Sequence, residues 1–276
     1  MRKGPGIGDR LRAWRERRHL SQMDLSLRAE VSSRHLSFVE TGRARPGREL
    51  ILRLAEELQI PLRDRNALLV SAGFAPVFQH RPFSDPSFDS VRAILELALE
   101  KHKPFPAYVI DRHWTVVASN AAIPEMYEGV APKLLRQPIN VIRLMLDPGG
   151  MASRIVNLAA WRVHLLAQLR RQLSLTADPV LEPLLREALA YPGGSAEDGA
   201  HATADGPAMP LEIATRFGRL RFMGATTVFG TPADVTLEEI ALEVLYPADA
   251  FTEKTVRALT APAVRANPSK QPAAAP

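Results

Sequence analysis

Between residues 7 and 72, apolar side chains recur three and four positions apart, the period of amphipathic helices. Ile7, Leu11 and Trp14 form one stripe over Ile7–Arg18, with Arg12, Arg15 and Arg18 expected to project elsewhere. Two short helices follow. Ser21 with Asp24 three positions on has the form of a capping box, and Leu25 and Ala29 share a face. Ser32 is placed to cap the second, whose buried face is Leu36 and Val39. A helix from Arg48 to Leu58 is expected to pack through Leu50, Leu54 and Leu58. A fifth, from Arg63 to Ala72, ends at Gly73.

From residue 88 the pattern changes. Phe88–Lys103 is helical, with Val91, Ile94, Leu95 and Ala98 on one face. Two β-rich runs, Ala107–Ile110 and Thr115–Ser119, flank a hairpin at Asp111-Arg112-His113. Helices are predicted over 120–127, 140–146, 154–173 and 179–190. Three strands come next: Leu211–Phe217, Arg219–Phe229 and Glu238–Tyr246, the last alternating Ile240, Leu242 and Val244 against Ala241, Glu243 and Leu245. Phe251–Leu259 is a terminal helix. Two strands, then helices, then three strands is the order of a PAS-type domain, an antiparallel sheet with helices on one face and room for a small ligand between them. Residues 74–87 carry Pro76, Pro82 and Pro86 but also Phe74, Val77, Phe78 and Phe83, too apolar for a free linker, so this connector is expected to lie against one domain or the other. Gly193–Pro207 reads as a mobile loop and Ala261–Pro276 as a disordered tail.

One helical face does not fit a solvated surface. Packing Leu36 and Val39 inward leaves Ser33, Arg34, Ser37 and Phe38 outward, a set suited to a DNA major groove. Arg43 and Arg45, in the loop behind it, suit phosphate. Charge sharpens this picture. The net charge is +5, yet residues 1–65 hold 15 Lys/Arg against 9 Asp/Glu and the rest 20 against 21. The basic excess thus lies wholly with these helices, as a phosphate-binding module requires, although charge alone equally fits a soluble surface.

The length of 276 residues allows two domains. With no cysteine, disulfides, thiolate metal sites and cysteine nucleophiles are excluded. No signal peptide and no membrane-length apolar run is present, so a cytoplasmic protein with no membrane partner is expected. Nucleophile-elbow, zinc-protease, phosphate-loop and dinucleotide motifs are missing, and the histidines are scattered; neither enzymatic activity nor a cofactor is expected.

Residues 7–58 resemble the helix-turn-helix domain of phage repressors and bacterial XRE-type regulators. The likeness rests on Gln22, on Leu25, Ala29, Val31, Leu36 and Val39, and on Glu40-Thr41-Gly42 followed by Arg43, Arg45 and Pro46. Glu30 stands where that family usually has a turn glycine, at a cost on the order of 1 kcal/mol if its φ is positive. Residues 82–260 resemble the ligand-binding domain of MmyB-like transcription regulators. Here the likeness rests on Tyr108-Val109-Ile110-Asp111 with Trp114, Ser119-Asn120-Ala121-Ala122 and the Asn157–Trp161 region. Thr226–Pro232, Asp234-Val235-Thr236-Leu237-Glu238-Glu239 and Tyr246-Pro247-Ala248-Asp249 extend it.

The resemblance implies a mainly α, lambda-repressor-like helix-turn-helix domain of five helices over 1–73 and a connector over 74–87. It implies an α+β, PAS-like domain with a five-stranded antiparallel sheet over 88–260, ahead of the tail at 261–276. It further implies a homodimer on a palindromic double-stranded DNA operator, tuned by an apolar effector such as a fatty acid. In that reading Arg34 reads a base edge, Ser33 and Ser37 support it, Phe38 meets a thymine methyl, Ser32 opens the helix, and Gln22, Arg43 and Arg45 take phosphate. Leu158, Trp161 and Leu165 face the sheet, Met126, Met145 and Phe222 complete an adaptable wall, and Arg162 or His164 fixes the ligand's polar head. The same apolar residues equally suit a closed core. The rival readings are a C-terminal domain that only dimerises, and an enzyme fused to a DNA-binding domain.

Overall fold

The computed structural model describes residues 6–120, 122, 126–193 and 209–260. Five helices come first: α1 Ile7–Arg17, α2 Gln22–Arg28, α3 Ser33–Glu40, α4 Arg48–Glu57 and α5 Leu62–Ser71. Their apolar faces meet in one core of Leu11, Trp14, Leu25, Ala29, Leu36, Val39, Ile51, Leu54, Leu58, Leu68 and Leu69. In α4 it is Ile51, rather than the expected Leu50, that reaches the centre; Leu50 packs at the margin. A Cβ on Gly8 would lie 2.4 Å from the Val39 carbonyl oxygen, so the close approach of α1 to the end of α3 requires glycine there. Glu30 does adopt the left-handed conformation, at φ 52°.

After a 3₁₀ turn at Pro86–Phe88 come α6 Asp89–His102, β1 Ala107–Ile110, β2 Val116–Ser119, α7 Val141–Leu146, α8 Leu158–Thr176 and α9 Leu181–Ala190. Then β3 Leu211–Thr215, β4 Gly218–Val228, α10 Val235–Glu238, β5 Ala241–Pro247 and α11 Ala250–Thr260 complete the described chain. The strands form one five-stranded antiparallel sheet in the order β2-β1-β5-β4-β3.

Side chains alternate across the sheet, and both faces find cover. Ile110, Leu211, Ile213, Leu220, Phe222 and Leu245 join the core built by α7, α8 and α9. Ala107, Val109, Leu242 and Val244 pack under Leu95 and Leu99 of α6. The expected arrangement had helices on one face only. The α6 stripe corrects it, and explains why β5 carries apolar residues on both faces, Leu242 and Val244 on one and Ala241 and Leu245 on the other. The expected strand start at Glu238 is also corrected: residues 235–238 form a helical turn capped by Asp234, whose Oδ1 accepts from Thr236 N at 2.8 Å. Half of the helix expected over 120–127 (residues 121 and 123–125), the loop from 194 to 207 and the tail over 261–276 lie outside the described residues.

The connector touches both regions. Asn66 of α5 accepts from the amides of Val77 and Phe78 and donates to the Phe78 carbonyl, while Val235 N donates to the Gln79 carbonyl and Thr236 Oγ1 to that of Arg81.

Candidate nucleic-acid interface and ligand cavity

Two capped helices build the first site. Asp24 N donates to Ser21 Oγ at 3.1 Å and Ser21 N returns to Asp24 Oδ2 at 3.0 Å, which closes the capping box on α2. His35 N donates to Ser32 Oγ at 3.1 Å, so the Ser32 hydroxyl is engaged as the cap of α3. With Leu36 and Val39 buried, Ser33 and Arg34 are exposed and Ser37 and Phe38 half-buried along the outer face. The Arg34 guanidinium carbon lies 5.4 Å above the Phe38 ring, a cation–π contact that holds the arginine along the helix. Arg43 N and Ala44 N both donate to the Phe38 carbonyl, which ties the loop of exposed Arg43 and Arg45 to the end of α3.

Behind this face sits a pair that the hydrophobic pattern did not reveal. Arg15, expected to project away from the core, is buried. Its Nε and Nη2 donate to Glu40 Oε1 and Oε2 at 2.7 and 2.8 Å, and those bonds raise the arginine's pKa above its ordinary value. Gln22 Nε2 donates to Glu40 Oε2 at 2.8 Å. The amide expected to reach phosphate is thus held in place by Glu40 through one of its donors. Glu40 belongs to a three-residue run that carried the helix-turn-helix resemblance; its chemistry could have suggested a buried cation, but no periodicity names the partner.

The second site lies between the sheet and the helices opposite α6. An outer cavity of about 770 Å³ is lined by Val116, Met126, Tyr127, Leu135, Gln137, Ile139, Arg154 and Leu220 among others. A small inner void of about 20 Å³ shares Val116, Met126 and Tyr127 with it and is walled by Tyr108, Val141, Leu144, Met145, Met151, Leu211, Ile213 and Leu245. Burial pushes the Tyr127 phenol up to about 12 and Tyr108 higher still, so both are neutral hydroxyls at any ordinary pH. Arg154 borders the outer cavity and ties two segments of its rim together: Nη1 donates to the carbonyls of Met126 at 3.0 Å and Glu128 at 2.7 Å, and Nε to that of Ala214 at 3.2 Å.

Of the expected ligand residues, Met126 and Met145 line these cavities. Among the described residues the lining does not include Leu158, Trp161, Arg162, His164, Leu165 or Phe222. Trp161, Leu165 and Phe222 are buried in the surrounding core, and Leu158 packs at its edge. Arg162 is turned to the end of α9, where it donates to the carbonyls of Ala188, Leu189 and Tyr191 at 2.8–3.0 Å. Those free carbonyls claim its guanidinium, which is why it does not reach the cavity. His164 lies against Trp161, with ring centroids 5.2 Å apart, and its Nε2 is 3.0 Å from Gln168 Nε2; burial lowers its pKa. The inner lining residues Leu211 and Ile213 alternate with Glu212 and Ala214 along the strand expected there, and so share one face. Val141, Leu144 and Met151 were not legible, because a short helix and a turn give no orientation.

Among the described residues no helix is long and apolar enough to cross a membrane. No curated protein matches the chain. A solved structure described as an RNA-binding Light-Oxygen-Voltage receptor is 13% identical over 91% of this chain and 61% of its own. The chain thus spans about three fifths of that protein's length, and the TM-score of 0.24 is too low to assign a shared fold. Residues 7–68 match the family model of a helix-turn-helix domain, as the capped α2–α3 pair requires. Residues 91–259, the sheet, its helices and the cavity between them, match that of the MmyB-like transcription regulator ligand binding domain; the chain belongs to this family of ligand-responsive transcription regulators.

Proposed function

We propose that the chain represses transcription as a homodimer on a two-fold operator and that a fatty-acyl or similar apolar molecule, bound in the second domain, changes its DNA affinity. Residues 1–73 serve as the DNA-binding domain, 88–260 as the sensor, and 74–87 as the connector. The observation that carries the reading is the outward face of α3, a serine, arginine and aromatic set fixed by a buried core and flanked by two loop arginines. Arg34 reads a base edge, with Ser33, Ser37 and Phe38 beside it, while Arg43 and Arg45 grip phosphate. A single domain of this size offers a small footprint, so two copies with half-sites about one helical turn apart are expected.

For the effector, the outer cavity has room for an acyl chain and the methionines of the inner wall can adapt to it. Gln137 at the outer cavity, rather than Arg162 or His164, meets a polar head. Duplexes selected in vitro by the full chain test the first half. Arg34→Ala should cost about 1–3 kcal/mol at one base position, whereas Arg43→Ala should weaken all sequences alike and lower the salt slope by about one unit. Unchanged affinity in Arg34→Ala would mean that α3 is not the reading helix. Native mass spectrometry of the purified protein and lipid titration followed by tryptophan fluorescence test the second half.

A further inference from the structure

The two domains meet at a charged seam. The turn α10 sets Glu238 and Glu239 side by side against the start of α5. Leu62 N donates to Glu238 Oε2 at 2.8 Å, giving one of the free amides at that helix end a partner. Arg63 grips Glu239 with both arms of its fork, Nε to Oε1 at 2.7 Å and Nη2 to Oε2 at 2.9 Å. From the opposite side, Arg112 of the β1–β2 hairpin donates Nη1 to the same Oε1 at 3.1 Å, and its Nη2 lies 3.1 Å from the buried Asp178 Oδ2. One carboxylate is therefore shared by an arginine of the DNA-binding domain and an arginine of the sensor. All three side chains are largely withdrawn from solvent, so the attraction, and the repulsion between the two arginines were it removed, is weakly screened.

The hairpin that carries Arg112 is also stitched to the cavity wall. Val116 N donates to the Ile139 carbonyl, Val141 N to that of Trp114 and Asn140 Nδ2 to that of His113, each at 2.8 Å. Val116 and Ile139 line the outer cavity and Val141 the inner void. Any widening that moves residues 139–141 must break these bonds or carry the hairpin, and Arg112 with it.

We infer that Glu239 is the switch point between effector and operator. The carboxylate ties Arg63 of the DNA-binding domain to Arg112 of the hairpin, so filling the cavity shifts the hairpin and, through the shared carboxylate, reorients the domain. The inference rests on the cavity being the effector site, and the test separates the two. Amide hydrogen exchange on the ligand-free full chain needs no effector: Arg63→Ala should speed exchange about tenfold at the start of α5 and across 111–116. Faster exchange confined to α5 would overturn the relay. Myristate then serves as the probe. In the wild type it should shift affinity for a selected duplex about tenfold, and in Glu239→Gln, or in Arg63→Lys should that variant fold poorly, it should still bind by native mass spectrometry but leave DNA affinity unchanged. An equal shift in wild type and variant would sink the switch. Failure of myristate to bind the wild type would sink the effector reading, and the exchange data would still decide whether the seam and hairpin move together.

Discussion

The two domains bury their apolar residues to different ends. In the first, Leu11, Leu25, Ala29, Val39, Ile51 and Leu54 are each at 0% exposure, and the buried Arg15–Glu40 ion pair is knitted to Gln22 beside α3. In the second, Met126, Met145, Met151, Tyr108 and Tyr127 stand around unfilled space. Close packing transmits a fixed shape, which a helix presented to DNA needs; a wall of flexible thioethers permits several shapes, which a sensor needs. The contrast shows that hydrophobic content says little about purpose: the same residue classes give a rigid scaffold or an adaptable container according to how completely they interlock.

The largest expected effect lies in the first domain. Glu40→Ala strands the Arg15 guanidinium in the core and should cost about 3–5 kcal/mol in urea unfolding, with loss of DNA binding. A cost below about 1 kcal/mol would mean that the pair is solvated and that the domain is less rigid than it looks. Next, Leu36→Ala should cost about 2–5 kcal/mol, and Met145→Ala clearly less, since its wall already borders a void and its neighbours can collapse. Only the second substitution should alter lipid affinity. Equal costs would erase the distinction between the two cores.

A smaller effect tests the seam. Asp64 of α5 faces Arg112, Asp178, Arg63 and Glu239 at the seam, and burial there lifts its carboxyl from 3.8 to about 6. The folded chain then holds a proton that the unfolded chain releases, so this group favours folding most below about pH 4. Its contribution fades as pH rises and is gone above about pH 6. Asp64→Asn should therefore flatten the pH dependence of the melting temperature across that window and raise the melting temperature at pH 7. An unchanged slope would place Asp64 in water rather than between domains. Smallest of all, Glu30→Gly should relieve the left-handed turn at φ 52° and stabilise the chain by about 0.5–1 kcal/mol in the same urea assay. No gain would mean that the Glu30 side chain makes good the strain.

How much of this was legible beforehand varies by element. Caps and periods are local, so Ser21, Asp24 and Ser32, the inward Leu36 and Val39, and hence the outward Ser33 and Arg34, followed from spacing alone. The sequence of strands along the chain and the hairpin at Asp111–His113 were equally local, whereas the pairing of β1 with the distant β5 was not. Partners across long separations were not. Nothing in the chain joins Arg15 to Glu40, Arg63 to Glu239, or Arg112 to Asp178, because a charge declares its sign but not its address. The long helix α8 illustrates the limit: it is apolar on enough sides that sequence could not say whether Trp161 met a ligand or a core, and Arg162 was as eligible for a head group as for the carbonyls of α9 that it holds.

The sequence by itself determined the two kinds of domain and the face of α3, since these depend on residues a few positions apart whose geometry the backbone period dictates. Only the tertiary structure decided where space was left unfilled and which arginines converge on Glu239. Voids and shared charges arise from the docking of elements distant in the chain, which no local pattern encodes.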